Sequence, residues 1–436
     1  MNKSISTISL ARTNSNGLRP RAVVIATPWA RSGSSNIFEA QTSSLADAGL
    51  EVALLVGPAE YWYSDYDSQL LADIQEAFNW PSVSLLSWDS FGRNAKAARL
   101  KGRLRWMLAK RDSELKIQAR MALDTSFSKV FKEFLLAHDI EIIYANHVFQ
   151  IMLAEKVAAF PISNSRARPE IIVETHDIQS SLNIKSLRRN TFSRVPDFYH
   201  QLIRDEVSLL SKADKITHLS VDDMAFFSSL LPSKKHFLIP PTLSPAVERK
   251  LTAIRSASSP KLIDFLWVGN DNPGNIQSVQ WFFEYVMPHL SGDLIINFVG
   301  TIRRYFIKDE SQIIAKYGHM LLGEVADVAP FYEAAKAVIV PVVFGTGVSI
   351  KFVESICMGK PIVATPLAFR GLSKALIERL PIKTAMPPIG FARAMMQVHE
   401  DAEYAEPQYS RFYDEHLSNK RFDELLSAAT GLHRGR

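Results

Sequence analysis

Short apolar runs rich in Val, Ile and Leu recur along this chain, separated by stretches with helical spacing, and that alternation constrains the fold more than any other feature. RAVVIATP, EVALLVG, EIIYANH, IIVETHD and KITHLS come first, and LIDFLWVG, LIINFVG, AVIVPVV and PIVATP follow. Strands of this kind are too apolar to leave a face in water, and the segments between them are long enough for crossover helices. The pattern predicts parallel, doubly wound α/β sheets. It breaks at IPPTLSP and again at RSASSPK, so two such domains are expected, with the cleft between their strand ends as the place for chemistry. The division reads as a flexible leader 1–20, a domain 21–240, a linker 241–260, a second domain 261–407, and terminal helices 408–436 that cross back to the first domain.

With 436 residues, 47% of them hydrophobic and 22% charged, the chain can bury two large cores and matches neither a disordered protein nor a fibre. Its one cysteine, Cys357, excludes an intrachain disulfide and any thiolate cluster, which fits a reducing compartment. The first twenty residues hold no continuous apolar stretch, and no run of about 18 apolar residues occurs anywhere. The expectation is a cytoplasmic protein. The net charge of +5 is concentrated in residues 93–111, RNAKAARLKGRLRWMLAKR, which carry eight basic residues and no acidic one. Leu100, Leu104, Met107 and Leu108 fall on one helical face there, a pattern that suits peripheral contact with an anionic membrane and equally a solvated helix packed on its own domain. Nucleic acid is not expected, since no reading motif accompanies the charge.

The most informative stretch is GTGVSIKFVESICMGKPIVATP, residues 345–366. A buried strand runs into Gly345, Thr346, Gly347 and Val348, and the glycines let a ligand approach the backbone. Free amides beginning at Thr346 and a helix dipole would make an anion site. Gly347, Lys351, Glu354 and Met358 recur at steps of four, three and four, so they share one stripe, while Val348, Phe352, Ile356 and Ile350, Val353, Cys357 form two apolar stripes beside it. Phosphate at the helix start with a carboxylate one to two turns in, about where a ribose hydroxyl pair would sit, suits a nucleoside diphosphate. The alternative is a solvated Lys–Glu pair at i, i+3.

This stretch closely resembles the donor-nucleotide motif of GT-B glycosyltransferases, in particular the retaining family 4, also called group 1 glycosyltransferases. FLWVGNDNPGNIQSVQWFFEYVMPHL, INFVG, LLGEV and ETHDIQS resemble the same family in the same order. The resemblance implies a GT-B fold and transfer of a sugar from a nucleoside diphosphate sugar to a hydroxyl of a glycan or glycolipid, in polysaccharide or glycoconjugate synthesis. It implies that Glu354 binds ribose hydroxyls, that Gly345, Thr346, Gly347 and Val348 hold the diphosphate, and that Glu324 and Val325 lie beside the base. Thr346 stands where the family commonly carries a second glutamate. An Arg and a Lys usual after the domain's first strand are replaced by Gly269 to Asn275, so Lys351 is inferred to supply the phosphate charge. Gly33 and Ser34, after the first strand, would approach the donor phosphates, or form an ordinary turn. His147 and His176 follow predicted strands and are candidate catalytic contacts, against a structural role; Asn146 takes the first position in another register, and Asp177 would orient His176 or the acceptor. Asp65-Tyr66-Asp67 matches a metal-binding triplet formally, but GT-B enzymes generally lack that metal, so neither metal nor cofactor is expected. A sugar-nucleotide epimerase or hydrolase and a non-catalytic scaffold for nucleotide sugar or membrane are the alternatives. An NAD oxidoreductase is disfavoured because the full dinucleotide fingerprint is absent.

Overall fold

The computed structural model describes residues 21–27, 33–56, 83–86, 113, 115–116, 118–120, 127, 129–137, 140–160, 168–181, 195–255, 260–309, 311–345, 347–400 and 406–432. The basic segment 93–111, the triplet at 65–67 and Thr346 lie outside them. The chain divides into two compact units, residues 1–239 with 423–436, and residues 240–422.

Unit 1 carries strands β1 (Arg21–Ala26), β2 (Glu51–Val56), β3 (Val83–Leu86), β4 (Ile140–Asn146), β5 (Glu170–Glu174), β6 (Lys215–His218) and β7 (Lys235–Leu238). They form one sheet of order β3-β2-β1-β4-β5-β6-β7, parallel throughout. Its helices include α1 (Gly33–Asp47), α2 (Lys129–Ala137), α3 (Ile151–Ala158), α4 (Val195–Leu210) and α5 (Val221–Leu230). Val23, Ile25, Ala53, Leu55, Ile143 and Val173 join one buried cluster with Leu153, Val157 and Leu202 from the helices. α1 starts at Gly33. Past its last turn Gly49 takes φ +92, and Leu50 N donates back to Leu45 O at 3.2 Å.

Unit 2 repeats the plan with α6 (Pro245–Arg255), β8 (Ile263–Val268), α7 (Pro273–Trp281), β9 (Ile296–Val299), α8 (Ile302–Lys308), α9 (Gln312–Tyr317), β10 (Leu321–Gly323), α10 (Ala329–Ala334), β11 (Ala335–Val340), α11 (Ile350–Cys357), β12 (Ile362–Ala364), α12 (Lys374–Ile377), β13 (Lys383–Thr384), α13 (Pro388–Glu400) and α14 (Glu406–His416). The sheet order is β10-β9-β8-β11-β12-β13, again all parallel. Alternate residues of the same strands face opposite layers: Phe265, Trp267, Ala337 and Ile339 pack with Phe282 and Phe391, whereas Leu266, Val338 and Val340 pack with Phe352, Val353 and Ile356. This accounts for strands that read as unbroken apolar runs. α15 (Asn419–Thr430) spans the division between the units.

The expected linker 241–260 requires correction, because Pro245–Arg255 is a helix of unit 2 that buries Leu251 in its core. Pro245 starts this helix instead of breaking it: at the first helical position the missing N–H is one that would lack a partner anyway. Ser244 accepts from Glu248 N through its carbonyl at 2.8 Å and from Val247 N through its hydroxyl at 3.3 Å.

In each sheet the strand order reverses between neighbours that leave in opposite directions, β1 and β4 in unit 1 and β8 and β11 in unit 2. Loops leaving the carboxyl ends of such a pair diverge and open a crevice, the usual ligand position of this architecture.

Candidate functional site

At the β8/β11 crevice of unit 2, the segment after β11 runs from Pro341 to Ser349. It packs on the start of α7: Val343 N donates to Ser278 Oγ at 3.3 Å, and a Cβ on Gly274 would stand 3.0 Å from Phe344 O. Gly345 and Gly347 take φ +132 and +66, where a side chain is strained. That left-handed backbone delays the helix. α11 begins at Ile350, with Ser349 as its N-cap, so the helix's own first-turn amides start there, later than the spacing implies. Ser349 O accepts from Phe352 N at 3.0 Å and Val353 N at 3.3 Å, which leaves Ile350 and Lys351 as the first-turn amides ahead of that pair.

Phe352, Val353, Ile356 and Cys357 are buried, as the two apolar stripes require, and Lys351 and Glu354 are half-buried. The Lys351 ammonium donates to Asn275 Oδ1 and lies 4.8 Å from the centre of the Trp267 ring. Asn275 can only accept there, because its Nδ2 donates to Asn270 O at 2.8 Å. Burial, added to by the nearby Arg370 charge and opposed by Glu354, pushes Lys351 down to about 7. Tyr332, fully buried on α10, donates its hydroxyl to Glu354 Oε2 at 2.8 Å. Burial raises the Glu354 carboxyl, against that hydrogen bond and the lysine charge. Val348 is half-buried beside them, and Lys360, behind the helix, is buried with its ammonium on Ala335 O at 2.8 Å.

The asparagine-rich turn after β8 therefore presents the lysine with a carbonyl in place of charge. Gly269 and Gly300 end neighbouring strands in such close approach that a Cβ on Gly300 would stand 2.0 Å from Gly269 O. Glu324, expected beside a base, is exposed after β10 and forms an ion pair with Arg304, while Val325 packs on the core. Arg370 was not singled out by spacing. It follows the turn Pro366–Phe369 after β12, donates Nη1 to Leu367 O at 2.9 Å, and brings Nη2 to 3.1 Å from where a Gly345 Cβ would be. The signal available for it was an arginine shortly after a strand carboxyl end, in LAFRG.

At the β1/β4 crevice of unit 1, His147 directly follows β4 and His176 lies two residues beyond β5, both with positive φ, 69 and 58. Their rings stack at 4.1 Å, with Phe149 stacked on His147 and the edge of Phe38 against His176. Their exposures are 2% and 4%. Asn146 Nδ2 donates to Gln41 Oε1 at 2.8 Å and Ile25 O at 3.2 Å, so its Oδ1 accepts, and His176 Nε2, 2.8 Å away, carries the proton. The group that orients His176 is thus Asn146 and not Asp177. Burial holds His176 down to about 3 and lowers His147 well below the usual range. Both rings are neutral hydrogen-bonding groups. Gly33 and Ser34 form the start of α1. Asp177 is half-buried near Glu206 and Asp223, each raised to about 7 by burial first and by its charge in part. Gln41, missed in the sequence because a glutamine inside a helix carries no pattern, is fully buried; among the described residues its Nε2 has no partner. Among the described residues no group of three His, Cys, Asp or Glu is placed to hold a metal ion.

Residues 263–401 match the family described as glycosyl transferases group 1. The matched span runs from β8 through α13 and contains the glycine loop, Lys351, Glu354 and Arg370. No curated protein matches the chain. Among solved structures it is similar to Anabaena HepE in complex with UDP and glucose, at 14% identity and TM-score 0.58, over 94% of this chain and 99% of that one. It is also similar to sucrose-phosphate synthase from Thermosynechococcus elongatus (14%, TM-score 0.60, 95% and 97%) and to a S. aureus TarM mutant in complex with Fondaparinux, alpha-GlcNAc-glycerol and UDP (8%, TM-score 0.59, 94% and 99%). The fold is GT-B.

Proposed function

We propose that this chain is a glycosyltransferase that moves a sugar from a nucleoside diphosphate sugar to a hydroxyl of a glycan or glycolipid, with retention at the anomeric carbon and without a metal ion. One arrangement carries the reading: Lys351 and Glu354 share a stripe of α11 directly after a glycine loop at the β8/β11 crevice, inside the span that matches the family. A diphosphate against the amides of Ile350 and Lys351 gains the helix dipole and the lysine charge. Glu354, one turn along and steadied by Tyr332 through Oε2, accepts from ribose hydroxyls. UDP in HepE and TarM supports a donor of this class.

In the transfer the acceptor oxygen bonds to the anomeric carbon on the face from which the diphosphate departs. The old carbon–oxygen bond breaks, its electron pair stays with the phosphate oxygen, and the acceptor proton passes to the leaving diphosphate. Positioning and electrostatic stabilisation of that charge supply the rate. Neutral His147 and His176 suit hydrogen bonding to sugar hydroxyls without adding charge. The cationic segment 93–111 supports an acceptor held at an anionic membrane surface facing the cytoplasm.

A thermal-shift panel of UDP, GDP, ADP and TDP sugars tests the donor site, since a ligand at a hundred times its Kd adds about 2.7 kcal/mol of apparent stability. Glu354→Ala, with its own melting temperature as baseline, is expected to abolish the shift. A full shift in that variant would remove the ribose contact and with it this reading.

A further inference from the structure

Two cations from different elements border the glycine loop of unit 2: Lys351 stands in the first turn of the helix that follows it, and Arg370 lies against Gly345. Lys351 belongs to α11, and Arg370 lies beyond β12, yet the Arg370 charge acts on Lys351 and disfavours its ammonium form. Arg370 Nη1 is anchored on Leu367 O, and Nη2 stands against the α-carbon of Gly345, where a Cβ would meet it at 3.1 Å. Here only glycine lets a guanidinium lie directly on the loop. The carboxylate facing Lys351, that of Glu354, also accepts the Tyr332 hydroxyl, and the remaining neighbours of the ammonium are the neutral Asn275 and Trp267. A partly desolvated like-charge pair costs free energy, and an anion placed between its members removes that cost.

We propose that Arg370 and Lys351 together form a two-cation clamp on the donor diphosphate, taking over from the basic pair that similar enzymes carry where this chain has Gly269 to Asn275. This rests on the donor-site reading above and adds to it the residue that the sequence did not point to. The roles divide by chemistry. Arg370 offers a planar fork to two phosphate oxygens, whereas Lys351 is a point charge at the helix start. As the anomeric carbon–oxygen bond breaks, the new negative charge forms on a phosphate oxygen held between them, so the clamp acts on the leaving group as well as on binding.

Calorimetry on the full-length protein with inorganic pyrophosphate tests the clamp without choosing a base, and UDP, GDP, ADP and TDP beside their nucleosides test the whole site. In Arg370→Gln, pyrophosphate and diphosphate affinity is expected to fall about tenfold or more, with a shallower salt dependence, while nucleoside binding is unchanged. Arg370→Lys keeps the charge but loses the fork, and an intermediate loss of several-fold is expected. It serves as the deciding variant if Arg370→Gln does not fold. Wild-type affinity for pyrophosphate in a folded Arg370→Gln or in Arg370→Lys would overturn the clamp and leave the donor site standing. A wild-type protein that binds neither pyrophosphate nor any of these nucleoside diphosphates would overturn both.

Discussion

Two side chains carry most of the chemistry assigned at the residue scale. Lys351 is held down to about 7 and faces Asn275 from α7, Trp267 from β8, Glu354 on its own helix and Arg370 beyond β12. A diphosphate favours its ammonium form, so binding takes up a proton wherever the free protein has lost it. Affinity for a nucleotide sugar, whose phosphates do not titrate near neutrality, is therefore expected to fall as pH rises from about 7, by up to about tenfold per unit, which is about 1.4 kcal/mol. Lys351→Met should bind more weakly and without that slope; equal slopes in calorimetry at several pH values would exclude the lysine. His176 offers a second test. Its folded value, about 3, lies below the ordinary 6.5, so between them the unfolded chain binds more protons and stability falls as pH drops through that window. Asn146→Asp replaces the amide oxygen that accepts from His176 Nε2 with a carboxylate, which should raise the imidazole value and flatten the loss. A histidine titration by NMR identical to wild type would show that the hydrogen bond at 2.8 Å does not govern it.

Among the elements, the glycines at the strand ends of unit 2 are where local geometry can be tested most sharply. Gly300 has φ +123 and leaves no room for a side chain against Gly269 O, so Gly300→Ala adds backbone strain to a collision with backbone that cannot move aside. A loss of more than about 2 kcal/mol is expected in denaturant unfolding, against much less for Gly292→Ala, which shares a positive φ but meets nothing within 4 Å. Strands and helix stops of this kind were legible beforehand. The β-branched runs appear as strands, and Gly49 and Gly359 end their helices in the left-handed conformation that glycine permits. Helix starts were less so. Position-by-position spacing carried the helix back into the glycine loop, but glycines in the left-handed region cannot begin a helix, and α11 starts only at Ile350. The same limit hid α6, since proline reads as an interruption until a residue such as Ser244 is seen capping it. The Lys351–Glu354 stripe could be read from intervals of three and four, whereas Asn275, Tyr332 and Arg370 reach it from α7, α10 and the turn after β12, and no local pattern records such tertiary convergence.

For the whole molecule, the alternation of strands and helices forecast two parallel sheets, because residues buried on both faces leave an unmistakable apolar signature. What it could not forecast is how the two crevices differ. The one in unit 2 gathers two cations and a carboxylate around glycine backbone. The one in unit 1 gathers neutral imidazoles and amides, with His147 and His176 strained, stacked and buried. Charge selects for phosphate, and neutral hydrogen-bonding groups select for hydroxyls, so the polar halves of a nucleotide sugar and its acceptor should report on different parts of the chain. Hydrogen exchange read by mass spectrometry separates them. A nucleoside diphosphate alone is expected to slow exchange most in peptides covering 341–354, where Ile350 and Lys351 amides would gain partners, and at the start of α7 through Asn275. Addition of the sugar should extend protection to peptides containing Asn146, His147 and His176. Protection by the nucleoside diphosphate at α1 and β4 with none across 341–354 would place the phosphates in the other crevice, and the assignment of α11 as their seat would fail.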